Sequence, residues 1–346
     1  MKKKIAIAIT SAILLVLIAI GVLEAQRYHI AIEPVKVPDI SVTYQSVDTQ
    51  FYYQQLTQEE KEIYEKIKQL LDQHKGGEIV LKQPINARSY YHIESALRYD
   101  SITYWYIAYL LPFNSSNTRV LPHLEQHSEE KMIEKMLLLI DSDKFQKEVL
   151  PASEDDAAKI KENKTVDTYQ IAKDFIDYQM DDLESYYEEV NQKINVNLQQ
   201  IINEMPKNCN QEEAVQYFSQ WIVDHMVYEP TIEKFLTTKD IVGYDLRKEI
   251  SAGSITSVND RKGTCTGFSC ILKNLCNRVG IDAYIVLGDT PNGRHGWVAI
   301  KIGDKTYYKD PTAEIGIKKV NPLQTNVQFY QYFNNAYKPF TDLFGY

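Results

Sequence analysis

Hydrophobic and polar positions divide the chain into stretches of different period. The first is an uncharged run from Ile5 to Leu23, 19 residues, preceded by Lys2, Lys3 and Lys4 and followed by Glu24. A secretory leader has an apolar core of about 7–15 residues and a spanning helix needs about 20, so this length predicts an uncleaved anchor over 5–23. Cleavage after Ala25 is the alternative, although Leu23 and Glu24 make a poor small-residue site. The lysines put residues 1–4 in the cytoplasm under the positive-inside rule, with the chain from about Glu24 outside. A second run of this length does not occur, which predicts a single pass. Residues 24–55 show no helical period and carry Pro34 and Pro38, as a stalk would.

Helical spacing starts at residue 57. Thr57 and Glu60 form a capping box, and Ile63, Ile67, Leu70 and Leu71 make an apolar stripe that ends at Gly76-Gly77. Further helices are predicted over Tyr91–Leu97 and Glu129–Leu139. A long one over Asp167–Met205 carries Ile171, Phe175, Tyr178, Leu183, Tyr187, Val190, Ile194, Leu198 and Ile201 and stops at Pro206. The charged stretch Glu154–Lys164 reads as a solvated loop. Residues 56–205 are therefore expected to be mainly helical. A second unit, 206–346, opens at the capping pair Asn210 and Glu213, with Ala214, Phe218, Trp221 and Ile222 on one helix face. A helix bearing Phe268, Ile271, Leu272, Leu275 and Val279 follows and stops at Gly280. Strand-like runs come next at Ala283–Leu287, Trp297–Ile302 and Thr306–Lys309, the last two joined by a hairpin signal at Gly303-Asp304. One helix followed by antiparallel strands is an α+β arrangement. The aromatic end, Tyr330–Tyr346, is expected to pack back onto this unit.

Composition narrows the functions without choosing one. The 346 residues fit about two domains. Net charge is −9, and without the three opening lysines 35 basic residues face 47 acidic ones, a balance of −12. Such a chain lacks the clustered cations that nucleic-acid phosphates require. The 25 tyrosines are spread along the chain and read as half-buried packing positions. Four cysteines, Cys209, Cys265, Cys270 and Cys276, are too few and too clustered for a disulfide scaffold. Cys270 and Cys276 belong to one helix and read as small core residues; Cys209, in a turn, reads as an unreactive surface thiol.

Cys265 differs from these. It starts its helix between Gly263 and Gly267, where orphan N–H groups and the helix dipole favour a thiolate, the nucleophilic form. The two glycines are expected to let a substrate backbone come close. An activated cysteine needs a base and a group that orients it. A two-residue turn at Gly303-Asp304 sets Ile302 opposite Lys305, Trp297 opposite Asp310 and His295 opposite Thr312. His295 and Asp310 then become diagonal neighbours on one face. A shift of two positions would set them directly opposite, and a bulged turn would separate them. His225 reads as packing at a helix end. His123 and His127, spaced i, i+4, enclose Leu124-Glu125-Gln126, which is not a zincin arrangement, and no metal site is assigned. Asn114-Ser115-Ser116 and Asn163-Lys164-Thr165 fit glycosylation acceptors, and Asp181-Asp182 a solvated face.

Four elements in order carry a resemblance: Gly263-Thr264-Cys265-Thr266-Gly267-Phe268, the exit Arg278-Val279-Gly280-Ile281, Arg294-His295-Gly296-Trp297, and Tyr308-Lys309-Asp310-Pro311-Thr312. Together they resemble the core of the transglutaminase-like superfamily over about 210–315. Ile222–Tyr228 is similar to the segment preceding that core in bacterial members, and Asp100 with Tyr104-Trp105 resembles helical regions attached to it. The resemblance implies a papain-like fold in which Cys265 attacks an amide carbonyl, His295 passes the proton to the leaving amine and Asp310 fixes the imidazole tautomer. A thioester results, resolved by water or by a lysine amine. It also implies an upstream aromatic that stabilises the oxyanion, for which Tyr228 is the matching position, with a core tyrosine as the alternative. Thr266, Gly296 and Ala313 depart from the usual bacterial pattern without removing a triad atom. No cofactor is expected, and no calcium-loop spacing is present. The implied function is an extracytoplasmic acyl-transferase or hydrolase acting on a protein or peptide substrate at the cell surface. The alternatives are a catalytically inactive binding or scaffolding module and an assembly role for residues 57–205.

Overall fold

The computed structural model describes residues 50–118, 120, 130, 132–141, 169, 170, 173, 176, 183–229, 246–290, 293–323, 325, 338 and 339. The apolar run 5–23, most of the stalk, His123, His127, residues 154–164 with Asn163, Asp181-Asp182 and most of 330–346 lie outside them. Among the described residues no helix is long and apolar enough to cross a membrane.

The expected first helix is present as α1, Gln58–Leu71. Its capping box closes in both directions, Glu60 N–H donating to Thr57 Oγ1 at 3.2 Å and Thr57 N–H to Glu60 Oε2 at 2.8 Å. Helix α2, Ala87–Ser95, runs into one turn of π-helix at Ala96–Asp100.

The remainder of this region corrects the mainly helical expectation. Strands β1 (Gly77–Ile85), β2 (Ile107–Phe113) and β3 (Ile133–Ile140) form an antiparallel sheet in the order β1-β3-β2. Strand β3 lies where a helix was expected over 129–139. Its apolar run is short enough to suit either element, and burial decides between them: Met136 through Ile140 are all buried in the central strand. Helix α3, Leu183–Asn203, forms part of the expected long helix, and residues 169, 170, 173 and 176 are helical as well.

Helix α4, Gln211–His225, starts at the Asn210–Glu213 capping box. After β4 (Val227–Tyr228) come α5 (Leu246–Gly253), α6 (Ser257–Asp260) and β5 (Lys262–Gly263), which runs parallel to β4. Helix α7, Cys265–Arg278, packs on an antiparallel sheet built from β6 (Asp282–Thr290), β7 (Gly293–Ile302), β8 (Lys305–Lys309) and β9 (Lys338–Pro339), in the order β8-β7-β6-β9. Helix α8, Pro311–Ile317, follows β8. This is the expected α+β arrangement of one helix on antiparallel strands.

One continuous core joins the two regions, extending from Tyr52 to Ile302. Polar contacts cross the same boundary. Lys273 of α7 donates to the carbonyls of Tyr99 and Asp100 at 2.6 and 2.9 Å, and Arg278 to Asn195 at 2.7 Å. The packed structure also begins earlier than a stalk ending at 55 would allow. Phe51 stacks on Tyr284 at 3.7 Å between ring centroids, and the Asp100 carboxylate accepts the N–H groups of Tyr52 and Tyr53. Cys209 is buried, not a surface thiol, because its turn is folded against this core.

Candidate active site

The β7–β8 hairpin adopts the two-residue turn. Ile302 pairs with Lys305 and Val298 with Lys309, and Gly303 supplies the left-handed φ of +59° that the turn requires. This register puts the side chains of His295 and Asp310 on one face. His295 Nε2 lies 2.8 Å from Asp310 Oδ2, and both residues are buried. The carboxylate is held from its other side as well. Asp310 is the N-cap of α8, its Oδ1 accepting the N–H groups of Thr312 at 3.0 Å and Ala313 at 3.1 Å, with Pro311 at the first helical position. A fully buried carboxylate is thus given three donors, which offset its desolvation.

Helix α7 delivers Cys265 to this pair. Its residue before the helix, Thr264, does not cap the first turn; the Thr264 hydroxyl instead donates to the Ala252 carbonyl at 3.3 Å. The positive end of the helix therefore falls on Cys265, which is part-exposed. The thiol is a hydrogen-bond partner of the His295 ring. Each imidazole nitrogen makes one in-plane bond and Nε2 is taken by Asp310, which leaves Nδ1 as the ring nitrogen available to the thiol. Burial alone would pull the His295 pKa down. The hydrogen bonds and charges of Asp310 and Cys265 outweigh it and push it up to about 10. Trp297 lies near-parallel to the imidazole, 6.1 Å between centroids. The arrangement can hold a thiolate beside an imidazolium, with a carboxylate behind the ring.

The other three thiols have no such setting. Burial pushes Cys270 up to about 12 and raises Cys276 and Cys209 as well. His225 packs at its helix end as expected, its ring N–H donating to the Trp221 carbonyl at 2.8 Å while the rings stack.

The two glycines around Cys265 do something other than admit a substrate. A Cβ at Gly267 would stand 2.1 Å from the Ala252 carbonyl oxygen, and one at Gly263 2.8 Å from the Phe268 ring. Both positions are consumed by internal packing. Thr266 and Gly296 lie against each other, since a Cβ at Gly296 would approach Thr266 Cγ2 to 3.3 Å. Tyr228 pairs through its backbone with Gly263, two residues before Cys265, and its ring lies 6.4 Å from that of Phe268.

Residues not singled out in the sequence support the site. Ser269 of α7 donates to the Gly296 carbonyl at 3.1 Å, tying the cysteine helix to the strand that bears His295. Lys309 and Glu314 form a fully buried ion pair on either side of Asp310, with Lys309 also donating to the Asn321 carbonyl at 2.5 Å. Burial pulls the Lys309 pKa down and pushes that of Glu314 up, each against the partner's charge. A lysine at the end of a strand gives no local signal of burial. Among the described residues no group of His, Cys, Asp and Glu is arranged to hold a metal.

Solved structures to which the chain is similar include the following two. One is a TGase, at 16% identity and a TM-score of 0.32 over 53% of this chain and 42% of that one. The other is a candidate cysteine protease from Cytophaga hutchinsonii, at 17% identity and a TM-score of 0.26 over 40% of this chain and 46% of that one. The match spans less than half the length of either structure. No protein-family model and no curated protein matches the chain.

Proposed function

We propose that this protein is an extracytoplasmic cysteine acyl-transferase or hydrolase that opens peptide or glutamine amides through a thioester at Cys265. One observation carries the reading: the thiol at the start of α7 meets the ring of a buried histidine whose Nε2 is 2.8 Å from a buried carboxylate. The Cys265 thiolate attacks the amide carbonyl carbon, and the C=O electron pair moves onto oxygen. As the tetrahedral adduct collapses, His295 gives its Nδ1 proton to the departing amine, leaving the acyl group on sulfur. The ring then takes a proton from water or from an incoming amine, and attack by that group releases the acid or the new amide. Asp310 keeps the Nε2 proton in place through both halves, so that Nδ1 is the nitrogen that cycles. The apolar run 5–23 supports an anchored protein whose substrates are proteins or peptides outside the membrane.

The test uses the full chain in mild detergent, treated with iodoacetamide near neutral pH, with modified cysteines mapped by mass spectrometry. Alkylation of Cys265 should outrun that of Cys209, Cys270 and Cys276, and should slow in His295→Ala. Glutamine donors and amine acceptors are then assayed for release of ammonia and for crosslinking. Equal reaction of the four thiols, or indifference to His295→Ala, would overturn the reading.

A further inference from the structure

We propose that Lys309 is a positioning residue of this site: its buried clasp on Glu314 and Asn321 sets the Asp310 carboxylate against the His295 ring. The proposal rests on the acyl-transfer reading above and adds to it what fixes the geometry of the His295–Asp310 pair.

Strand, helix and site meet at Lys309. Its backbone pairs with Val298 of β7, three positions after His295. Asp310 continues the extended conformation, so the two side chains leave on opposite faces. On its own face the Lys309 ammonium donates to Glu314 Oε1 and, at 2.5 Å, to the Asn321 carbonyl. Asn321 closes the ring by giving its N–H to Glu314 Oε1 at 2.9 Å. The left-handed φ of +51° at Lys318 turns the chain back after α8 toward this clasp.

The Asp310 carboxylate has no freedom independent of α8, because the N–H groups of Thr312 and Ala313 hold its Oδ1. Any tilt of α8 against the β7–β8 hairpin therefore turns Oδ2 away from His295 Nε2, 2.8 Å distant. Lys309 opposes that tilt. Its backbone belongs to the sheet, and its side chain holds both a residue within α8 and the chain beyond it.

Stability alone does not call for an ion pair at this place. Lys309 and Glu314 are both fully buried, and Glu314 Oε2 accepts no hydrogen bond among the described residues. Two buried charges are costly to desolvate, and an apolar pair of similar volume is commonly as stable. Hydrogen bonds supply a direction that apolar contact does not. Direction is what the carboxylate needs.

The experiment uses the full-length protein in mild detergent and the variant Lys309→Met/Glu314→Leu, which removes both charges without stranding one. The first readout is the proton on His295 Nε2. An imidazole N–H that donates to a carboxylate resonates downfield of the amide protons, and His295→Ala assigns the signal. The variant should lose this signal or move it upfield. The second readout is the pH dependence of Cys265 alkylation by iodoacetamide, since a thiol paired with an imidazolium reacts below the ordinary cysteine pKa of about 8.5. In the variant the rate at about pH 6.5 should fall about 10-fold, while the rate above about pH 9 is kept. Lys309→Arg keeps the charge but changes the reach of the clasp, and it should move both readouts the same way if the double variant does not fold. Wild-type spectra without the signal, or a folded variant that keeps it while losing only stability, overturn the proposal. Alkylation that slows by the same factor at every pH does so too, being the mark of blocked access and not of lost alignment. A wild-type profile indifferent to His295→Ala sinks the thiolate–imidazolium reading by itself, while the Nε2 proton still judges Lys309.

Discussion

His295 Nε2 and Asp310 Oδ2 are 2.8 Å apart across a two-residue hairpin, with the carboxylate also serving as the N-cap of the next helix. One side chain thereby orients the base and starts α8. Replacing Asp310 by Asn leaves an acceptor for the helix but weakens the hold on the Nε2 proton. We expect Asp310→Asn to lower turnover by about 100- to 10,000-fold with little change in fold, and Asp310→Ala to cost about 1–2 kcal/mol in addition through the lost cap. Paired activity and urea-unfolding measurements separate the two effects; equal stability of the two variants would count against the capping role.

The raised pKa of His295 sets a pH window for stability. A group pushed up to about 10 when folded, from about 6.5 when unfolded, contributes in full below about 6.5 and loses that contribution as pH rises to about 10. The difference in Tm between wild type and His295→Gln should therefore shrink across that interval. In Cys265→Ala one of the partners that raises the folded-state pKa is gone, so the loss should still begin near 6.5 but be complete at lower pH and be smaller in total. A difference that stays constant from neutral to alkaline pH would contradict the assignment.

Gly267 and Gly296 are expected to respond differently to one added methyl group. At Gly267 the new Cβ meets a backbone carbonyl at 2.1 Å, so α5 or the start of α7 must move. Gly267→Ala should cost about 1–3 kcal/mol and slow Cys265 alkylation as well. At Gly296 the neighbour is the Thr266 side chain at 3.3 Å, which can yield, and Gly296→Ala should stay within about 1 kcal/mol of wild type. Thermal unfolding of both variants checks the contrast, which fails if Gly296→Ala is the worse of the two.

Lys309 and Glu314 are buried side by side around Asp310, so removing one strands a charge. Lys309→Met or Glu314→Leu alone should cost about 3–5 kcal/mol, and the double variant distinctly less than the two combined. A double-mutant cycle by urea unfolding gives the coupling directly. Additive losses would show that the pair does not act as a unit.

The candidate site was legible in the chain because its parts are local. Capping pairs at Thr57–Glu60 and Asn210–Glu213 mark helix starts within four residues, and both are present as capping boxes. The two-residue turn at Gly303-Asp304 sets the register of a hairpin, and a side-chain period of two carries that register to His295 and Asp310. The helix over 129–139 failed for the converse reason. An apolar run of that length suits a strand or a buried helix equally, and its partners, β1 and β2, are separated from it by intervening chain.

What the sequence by itself determined is therefore the order of Cys265, His295 and Asp310, the helix start at the cysteine and the pairing of the last two residues, since each depends on neighbours a few positions away. The tertiary structure alone decided that Lys273 reaches the carbonyls of Tyr99 and Asp100, more than 170 positions earlier, and that Gly263 and Gly267 face Phe268 and Ala252. These relations come from burying one shared core between two regions, and the period of a single helix or strand records which face is apolar but not which distant surface will cover it.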